Sequence, residues 1–271
     1  MNATILPSAL ISTFTEPRTE SRMKISVVTS VFNRADMIND ALQSVAQQTH
    51  SDVEHIVQDG ASSDGTLAVL QRDGGPSIKL RSEPDTGLYD GINRGIMRAT
   101  GDVVGLMHSD DLFADEHVLS RVAETMNQTG ADGVYGDLVY VAADNPNRVI
   151  RYWKSGGYNQ TRLRKGWMPP HPTLYLRRDV FDHFGLYDTS FQIAADYEAM
   201  LRYLIKGKIR LAYLPEVMVR MRVGGESNRS LGRILHKSRE DYRAMRLHGV
   251  GGIGTLIAKN TSKIGQFLTK E

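Results

Sequence analysis

The 271-residue chain contains no cysteine. That excludes disulfides, thiolate zinc centres and a cysteine nucleophile, and it is compatible with a reducing cytoplasm. No uninterrupted apolar run approaches the ~20 residues a spanning helix needs, so the chain is not expected to cross a membrane by itself. A dominant charge is also missing: 33 Lys and Arg stand against 31 Asp and Glu, a net +2. Such a balance gives no reason to expect nucleic-acid binding by bulk charge. There is no internal repeat and no low-complexity block. What is present is a 41% apolar fraction, enough for one sizeable core and too high for a disordered chain.

Residues 1–22, MNATILPSALISTFTEPRTESR, scatter Pro, Ser and Thr, and their short apolar patch lacks the basic flank of a secretory signal. They are expected to form a flexible N-terminal extension, with Met23 a candidate functional start. KISVVTSV (24–31) is β-branched and apolar on both faces, as a strand buried on both sides should be. Asp36 is placed to cap a helix on which Ile38, Ala41, Leu42 and Val45 fall at helical spacing. Strands are expected at 53–58, 78–82 and 102–107, with helices at 66–72 and 88–98 between them. This alternation predicts βαβ units and a largely parallel sheet, in which ligands collect at the carboxyl ends of the strands. Asp59, the segment 83–87 and Asp110 with Asp111 would share that rim. The second half is less regular. A helix at 115–127, strands at 133–141, 209–214 and 217–223, and a helix near 195–206 surround a basic, aromatic stretch at 151–172.

The segment GLMHSDDLF (105–113) ends an apolar strand in two adjacent carboxylates with no neighbouring Lys or Arg. Hard divalent cations take oxygen ligands, often one or two carboxylates plus substrate phosphates, so Asp110 and Asp111 suit a Mg²⁺ or Mn²⁺ diphosphate site. A solvated turn before the next helix would use the same residue types. In QDGASSDGT, Asp59 is suited to nucleobase or ribose hydrogen bonds, and Gly60 allows close backbone approach; Asp64 fits a helix cap. His171, framed by Pro170 and Pro172, is a candidate for donor, acceptor or metal binding, or for a purely structural place. Trp167 could stack on a sugar or pack in the core. The loop RMRVGGESNRS (220–230) offers Arg222 and Arg229 to a diphosphate, or to solvent. From residue 229 to 271 there are nine Lys and Arg against three acids, interleaved with aliphatic residues. Such helices would lie on an anionic membrane or pack on the catalytic domain or a dimer partner.

In combination, KISVVTSVFNRADMINDALQSVAQQ, VEHIVQDGASSDGT and EPDTGLYDGINRGIMRATGDVVGLMHSDD resemble the nucleotide-binding half of family 2 inverting glycosyltransferases with the GT-A fold, over about residues 24–115. The resemblance implies a Rossmann-like, mainly parallel α/β sheet flanked by helices, a mixed acceptor-side half and a C-terminal helical tail. It divides the chain into a GT-A domain at 23–228, with halves at 23–115 and 116–228, and a basic tail at 229–271. It places Thr29 and Asp59 at the nucleoside, Asp111 on the metal, Asp110 near ribose or a metal-bound water, and Asn93 and Asp90 on the helix bordering the site. Gly87 stands where some members carry a nucleoside-binding Arg. GLYDTSFQIAADYEAMLRYL resembles the segment that holds the catalytic base, so Asp196 aligns with the base, although Ala195 replaces the usual Glu. The chemistry asks for such a group, since inversion needs a base on the acceptor-hydroxyl face.

The reading implied is an inverting, Mg²⁺- or Mn²⁺-dependent transferase moving one sugar from a nucleotide-sugar, with UDP leading, to a saccharide or polyprenyl-linked saccharide of a cell-surface polysaccharide. It would act in the cytoplasm or peripherally on the inner membrane face. The processive Gln-x-x-Arg-Trp pattern is absent from the sequence. A sugar-nucleotide-forming nucleotidyltransferase would need a Gly-rich, basic loop after the first strand, which TSVFNRAD does not supply. A noncatalytic nucleotide-sugar-binding module with this fold is the third reading.

Overall fold

The computed structural model of the protein describes residues 23–224 and 231–261. The expectations for residues 1–22, for Arg229 and for the end of the tail lie outside the described residues. Three short crossovers build the first half: β1 (Ile25–Val31), α1 (Ile38–Ala46), β2 (Val53–Asp59), α2 (Thr66–Asp73), β3 (Ile78–Ser82), α3 (Leu88–Met97) and β4 (Val103–Leu106). Every residue of β1 is buried, as a central parallel strand covered on both faces requires. Val31 pairs beside Asp59, and Asp59 beside Ser82, so the carboxyl ends of three strands finish level and form one rim.

The second half comprises β5 (Leu112–Phe113), α4 (Val118–Thr129), β6 (Gly133–Val141), β7 (Val149–Trp153), α5 (Gln160–Arg164), β8 (Tyr175–Arg177), α6 (Arg178–Phe184), α7 (Ala195–Leu201), β9 (Leu211–Arg222), α8 (Leu231–Leu247) and α9 (Ile253–Thr261). The sheet runs β3-β2-β1-β4-β8-β6-β9-β5, with β7 beside β6. Strands β1 to β4 are parallel; β8 and β5 enter antiparallel to β4 and β9. This is the mixed α/β GT-A-like sheet that the resemblance implied. Gly105 permits the junction, because a Cβ there would come within 2.1 Å of the Tyr175 ring on the adjoining strand.

Three local expectations change. Helix α1 begins at Ile38 with no side-chain cap, so Asp36 does not cap it. The two strands expected at 209–214 and 217–223 are one strand, β9, with register shifts against β6 between Tyr135 and Leu138. Pro215, which lacks an N–H, stands in the irregular part and explains why the sequence reads as a break. The helix near 195–206 is α-helical to Leu201 and then continues as a π-helical turn, Arg202–Lys206.

Helices α8 and α9 belong to the core. Ala244, Met245 and Val250 lie in the same buried cluster as Ile92 of α3 and Tyr197 and Met200 of α7. Lys259 reaches Asp241 at 2.7 Å, both buried, and its ammonium lies 3.1 Å from the Tyr197 ring centroid. His248 and Glu198, also both buried, meet at 2.8 Å. No helix among the described residues is long and apolar enough to cross a membrane.

Candidate active site

Asp196 stands in the first turn of α7, a position prepared from three sides. Its Oδ2 lies 3.1 Å from Nδ1 of His171, and its Oδ1 faces the Tyr89 hydroxyl of α3 at 3.1 Å. The same hydroxyl is 2.8 Å from the Ile193 carbonyl. From α8, Glu240 accepts the backbone N–H groups of Gln192, Ile193 and Ala194 at 2.7, 2.8 and 2.9 Å, fixing the approach to the helix. Burial pushes the Asp196 carboxyl up, but His171, joined by the more distant Lys237 and Lys259, brings it well below the usual carboxylate range. That direction favours the anion at neutral pH, on a side chain that is 14% exposed. Tyr89 is moved the other way, well above its ordinary value, by burial and by the Asp196 charge.

The other nitrogen of His171, Nε2, is 2.8 Å from Nε2 of His108, the residue two before Asp110. Burial, with His171 alongside, takes His108 down to about 3, so it is neutral under physiological conditions. A chain of contacts thus runs from Asp196 through His171 to the loop after β4.

That loop separates its two carboxylates. Asp111, at 1% exposure, is interior: Oδ1 accepts the Arg222 backbone N–H at 3.1 Å, and Oδ2 is buried with no hydrogen-bond partner among the described residues. Burial, followed by the neighbouring Asp110 charge, raises the Asp111 carboxyl well above its usual range. Asp110 is half-buried. Pairing of β5 with β9, Leu112 opposite Arg220, holds the loop in place. The Arg222 guanidinium bridges the Asp110 carbonyl at 3.2 Å and the Asp40 carboxylate at 2.5 Å. An unpartnered buried oxygen beside a second carboxylate is a donor set that a divalent cation fits, with substrate oxygens completing its shell. Among the described residues no group of three or more His, Asp or Glu could hold a metal without such help.

Several residues expected at the donor have partners within the fold. Thr29 is fully buried, with its hydroxyl 2.9 Å from His55. Asp59 is equally buried; Ser62 and Ser82 donate hydroxyls to its two oxygens, and the Ser62 N–H joins them. These bonds tie the 59–62 turn to β3. Asn93 brackets the backbone of Tyr187 with both ends of its amide, at 2.8 and 3.0 Å. Asp90 accepts the Thr86 N–H at 2.9 Å and pairs with Arg94. Arg222 is committed to Asp40 and the acidic loop. Trp167 packs beside Tyr135 and Tyr158, its indole N–H on the Ser155 carbonyl at 2.9 Å. Asp64 is not the cap expected of it: Gly65 holds the N-cap position of α2, and Asp64, one residue earlier, accepts the Thr66 N–H at 2.9 Å and its hydroxyl.

Two rim residues escaped the sequence reading. Phe32, directly after β1, is 56% exposed, and an aromatic left open at a strand's carboxyl end was the available signal. Asp85 lies against two glycines: a Cβ on Gly60 would come within 2.7 Å of its Oδ2, and one on Gly91 within 2.9 Å. Its Oδ1 accepts the Gly87 N–H at 3.0 Å, and burial raises its carboxyl above the ordinary value. Gly87 itself has φ +133°, a conformation that strains any residue with a Cβ, which accounts for the absence of an Arg there.

The profile described as glycosyl transferase family 2 matches residues 26–185, more than half of the chain. A "PGL/p-HBAD biosynthesis glycosyltransferase" of Mycobacterium bovis is 27% identical over 208 residues, covering 75% of this chain and 78% of the relative. Among solved structures, the mannosyltransferase PcManGT from Pyrobaculum calidifontis, in complex with GDP-Man and Mn²⁺, superposes with a TM-score of 0.64 at 14% identity, covering 93% of this chain and 77% of that one. S. aureus TarS 1-349 in complex with UDP-GlcNAc gives 0.62 at 19% identity, covering 84% of this chain; the match spans 66% of that fragment. At such identities the structural likenesses establish the fold alone. With the family match over the rim and the sheet beneath it, the chain belongs to glycosyl transferase family 2, and it is a glycosyltransferase.

Proposed function

We propose that the protein is an inverting, metal-dependent glycosyltransferase that moves one sugar from a nucleotide-sugar to a hydroxyl of a saccharide or lipid-linked acceptor. The observation that carries this reading is that Asp196, bound to His171, is linked through His108 to the loop of Asp110 and Asp111, where the buried Asp111 Oδ2 lacks a partner among the described residues. In the displacement, Asp196 accepts the acceptor hydroxyl proton as the new C–O bond forms, and the bond from the anomeric carbon to the diphosphate oxygen breaks. The donor departs as a nucleoside diphosphate. Asp110 and Asp111 would hold Mg²⁺ or Mn²⁺, which supplies neutralisation of charge on the leaving diphosphate.

Of the two, Asp110 is the better outward ligand, because Asp111 already accepts the Arg222 N–H from within the fold. For the nucleoside, exposed Phe32 and the half-buried Asp85 are the better placed of the rim groups to touch a base or ribose; Thr29, Asp59, Asn93 and Asp90 shape the rim that they line. UDP is the leading nucleotide. The UDP-GlcNAc and GDP-Man bound to the two structural neighbours make both nucleotides members of the test panel. The relative named for PGL/p-HBAD biosynthesis supports a biosynthetic sugar transfer.

A peripheral site on the cytoplasmic membrane face fits the outer surface of α8 and α9. Ile234, Leu235, Leu247, Ile253 and Ile257 are exposed there, as are Arg233, Arg239, Arg243 and Arg246, whereas both acids, Glu240 and Asp241, are buried. Each basic residue near an anionic surface contributes about 1 kcal/mol.

The test is release of nucleoside diphosphate from UDP-, dTDP- and GDP-sugars with Mn²⁺, Mg²⁺ or EDTA, alongside equilibrium binding of the same donors. Metal-dependent turnover or binding of one donor, lost in Asp110→Ala, supports the proposal. Absence of both from the wild type removes it.

A further inference from the structure

We propose that His171 is a positioning residue: it fixes the Asp196 carboxylate toward the acceptor and ties it, through His108, to the loop that carries Asp110 and Asp111. This rests on the reading of Asp196 as the proton acceptor. The backbone around His171 is set independently of any ligand. Pro170 and Pro172 restrict it on both sides, His171–Thr173 forms a 3₁₀ turn, and Thr173 returns both its N–H and its hydroxyl to the Pro170 carbonyl at 2.9 Å. The imidazole is thereby aimed from a stiff support, and both of its nitrogens are occupied, at 3.1 Å by Asp196 and at 2.8 Å by His108.

The chemistry of the partners assigns the proton. A carboxylate only accepts, so Nδ1 of His171 carries the hydrogen it donates to Oδ2. The close Nε2–Nε2 contact then shares one hydrogen between the two rings, which meet edge to face with centroids 4.9 Å apart. On the opposite oxygen, the Tyr89 hydroxyl restrains rotation of the carboxylate. Each oxygen has two acceptor sites, and these contacts use one on each, so a site remains for the acceptor's proton. The groups acting on Asp196 from the elements around it are His171 and His108, Tyr89 of α3, Tyr187, and Lys237 and Lys259 of the C-terminal helices. Of these groups, His171 is the one that touches both the carboxylate and His108 of the acidic loop.

Three variants separate orientation from packing. His171→Asn retains an N–H donor near the Nδ1 position and loses the reach to His108; His171→Gln retains the reach of Nε2 and loses the Nδ1 donor; His171→Leu keeps bulk and neither polar contact. Loss of an orienting partner behind a functional group typically costs about 10- to 100-fold. Transfer kcat is expected to fall by that factor in His171→Leu and His171→Gln, with donor Kd within about threefold of wild type and thermal midpoints retained. Recovery of at least about tenfold over His171→Leu is expected in His171→Asn. Equal activity of the Leu variant and wild type, no advantage of Asn over Leu, or a loss confined to donor Kd would each overturn the proposal.

A second readout does not depend on turnover. In ¹⁵N-histidine spectra of the full chain, the His171 resonances, assigned by their loss in His171→Asn, should show a protonated Nδ1 and shift in Asp196→Asn. An unshifted signal overturns the contact. Failure of the wild type to bind any nucleotide-sugar while that shift is present would count against the donor reading and leave the His171–Asp196 contact standing.

Discussion

Glu240 gives the sharpest test of how the site is held. It is 7% exposed, and its two oxygens receive three successive backbone N–H groups from residues 192–194, immediately before the helix that carries Asp196. A hydrogen bond to a charged group contributes about 1.5–3 kcal/mol. Glu240→Gln keeps one carbonyl oxygen, which can still serve Ile193 and Ala194, and presents an amide to the Gln192 N–H; a cost of about 2 kcal/mol is expected. Glu240→Ala strands all three donors and should cost about 3–5 kcal/mol, less than three separate bonds because the loop can relax. At about 2–4 °C per kcal/mol for a chain of this size class, the Gln variant should melt roughly 4–8 °C lower.

The pH dependence has a definite sign. Burial pushes the Glu240 carboxyl up, but the three N–H groups and His236 bring the folded value below the ordinary 4.5, so its stabilisation is complete above that value. It is lost as pH falls through the lower folded pKa. The wild-type advantage over Glu240→Gln in urea denaturation should therefore be full at pH 7 and shrink in acid. A midpoint for Glu240→Ala within about 0.5 kcal/mol of wild type at pH 7 would refute the account, since surface substitutions produce changes of that size.

Other outcomes follow from the same geometry. Asp110→Ala should abolish metal-dependent turnover with little change in stability, whereas Asp111→Ala, at a buried position, should lower the thermal midpoint as well; equal midpoints would contradict the division drawn between them. Phe32→Ala should raise the KM for donor by about 5- to 30-fold, the equivalent of 1–2 kcal/mol of lost stacking, with the melting temperature unchanged. His55 is fully buried and lowered by that burial from 6.5 to about 4, so between those values the unfolded chain binds the extra proton. Stability should fall as pH drops through that window, by up to about 1.4 kcal/mol per pH unit from this residue, and a His55→Gln variant should show a shallower slope in urea titrations. Leu235→Glu with Ile257→Glu should reduce co-sedimentation with anionic phosphatidylglycerol vesicles and leave neutral vesicles unaffected; undiminished binding would remove the membrane role of α8 and α9.

The first half was legible because its signals are local. KISVVTSV could only be a doubly covered strand, and the alternation with helices placed the carboxyl ends, the rim and the acidic pair before any coordinates. Side-chain roles on that rim were less legible. Asp59 is a candidate by residue type and position and Asn93 by the family resemblance, and their partners within the fold are Ser62 and Ser82 for Asp59 and Tyr187 for Asn93. Those partners lie across loops, where no periodicity reports them. The same holds for the contact between His108 and His171, 63 residues apart in sequence. In the C-terminal segment the excess of basic residues was visible, but not that its two central acids turn inward to Lys237, Lys259 and the 192–194 backbone.

That inward turn sets an order of events during synthesis. Strands β1 to β4 and the rim they form lie early in the chain, whereas Glu240, which braces the approach to Asp196, lies in α8, beyond β9. In a nascent chain the rim of β1 to β4 would thus form before β9 secures the loop of Asp110 and Asp111, and both before α8 braces residues 192–194. The parts of the candidate site come from stretches of chain made at different times.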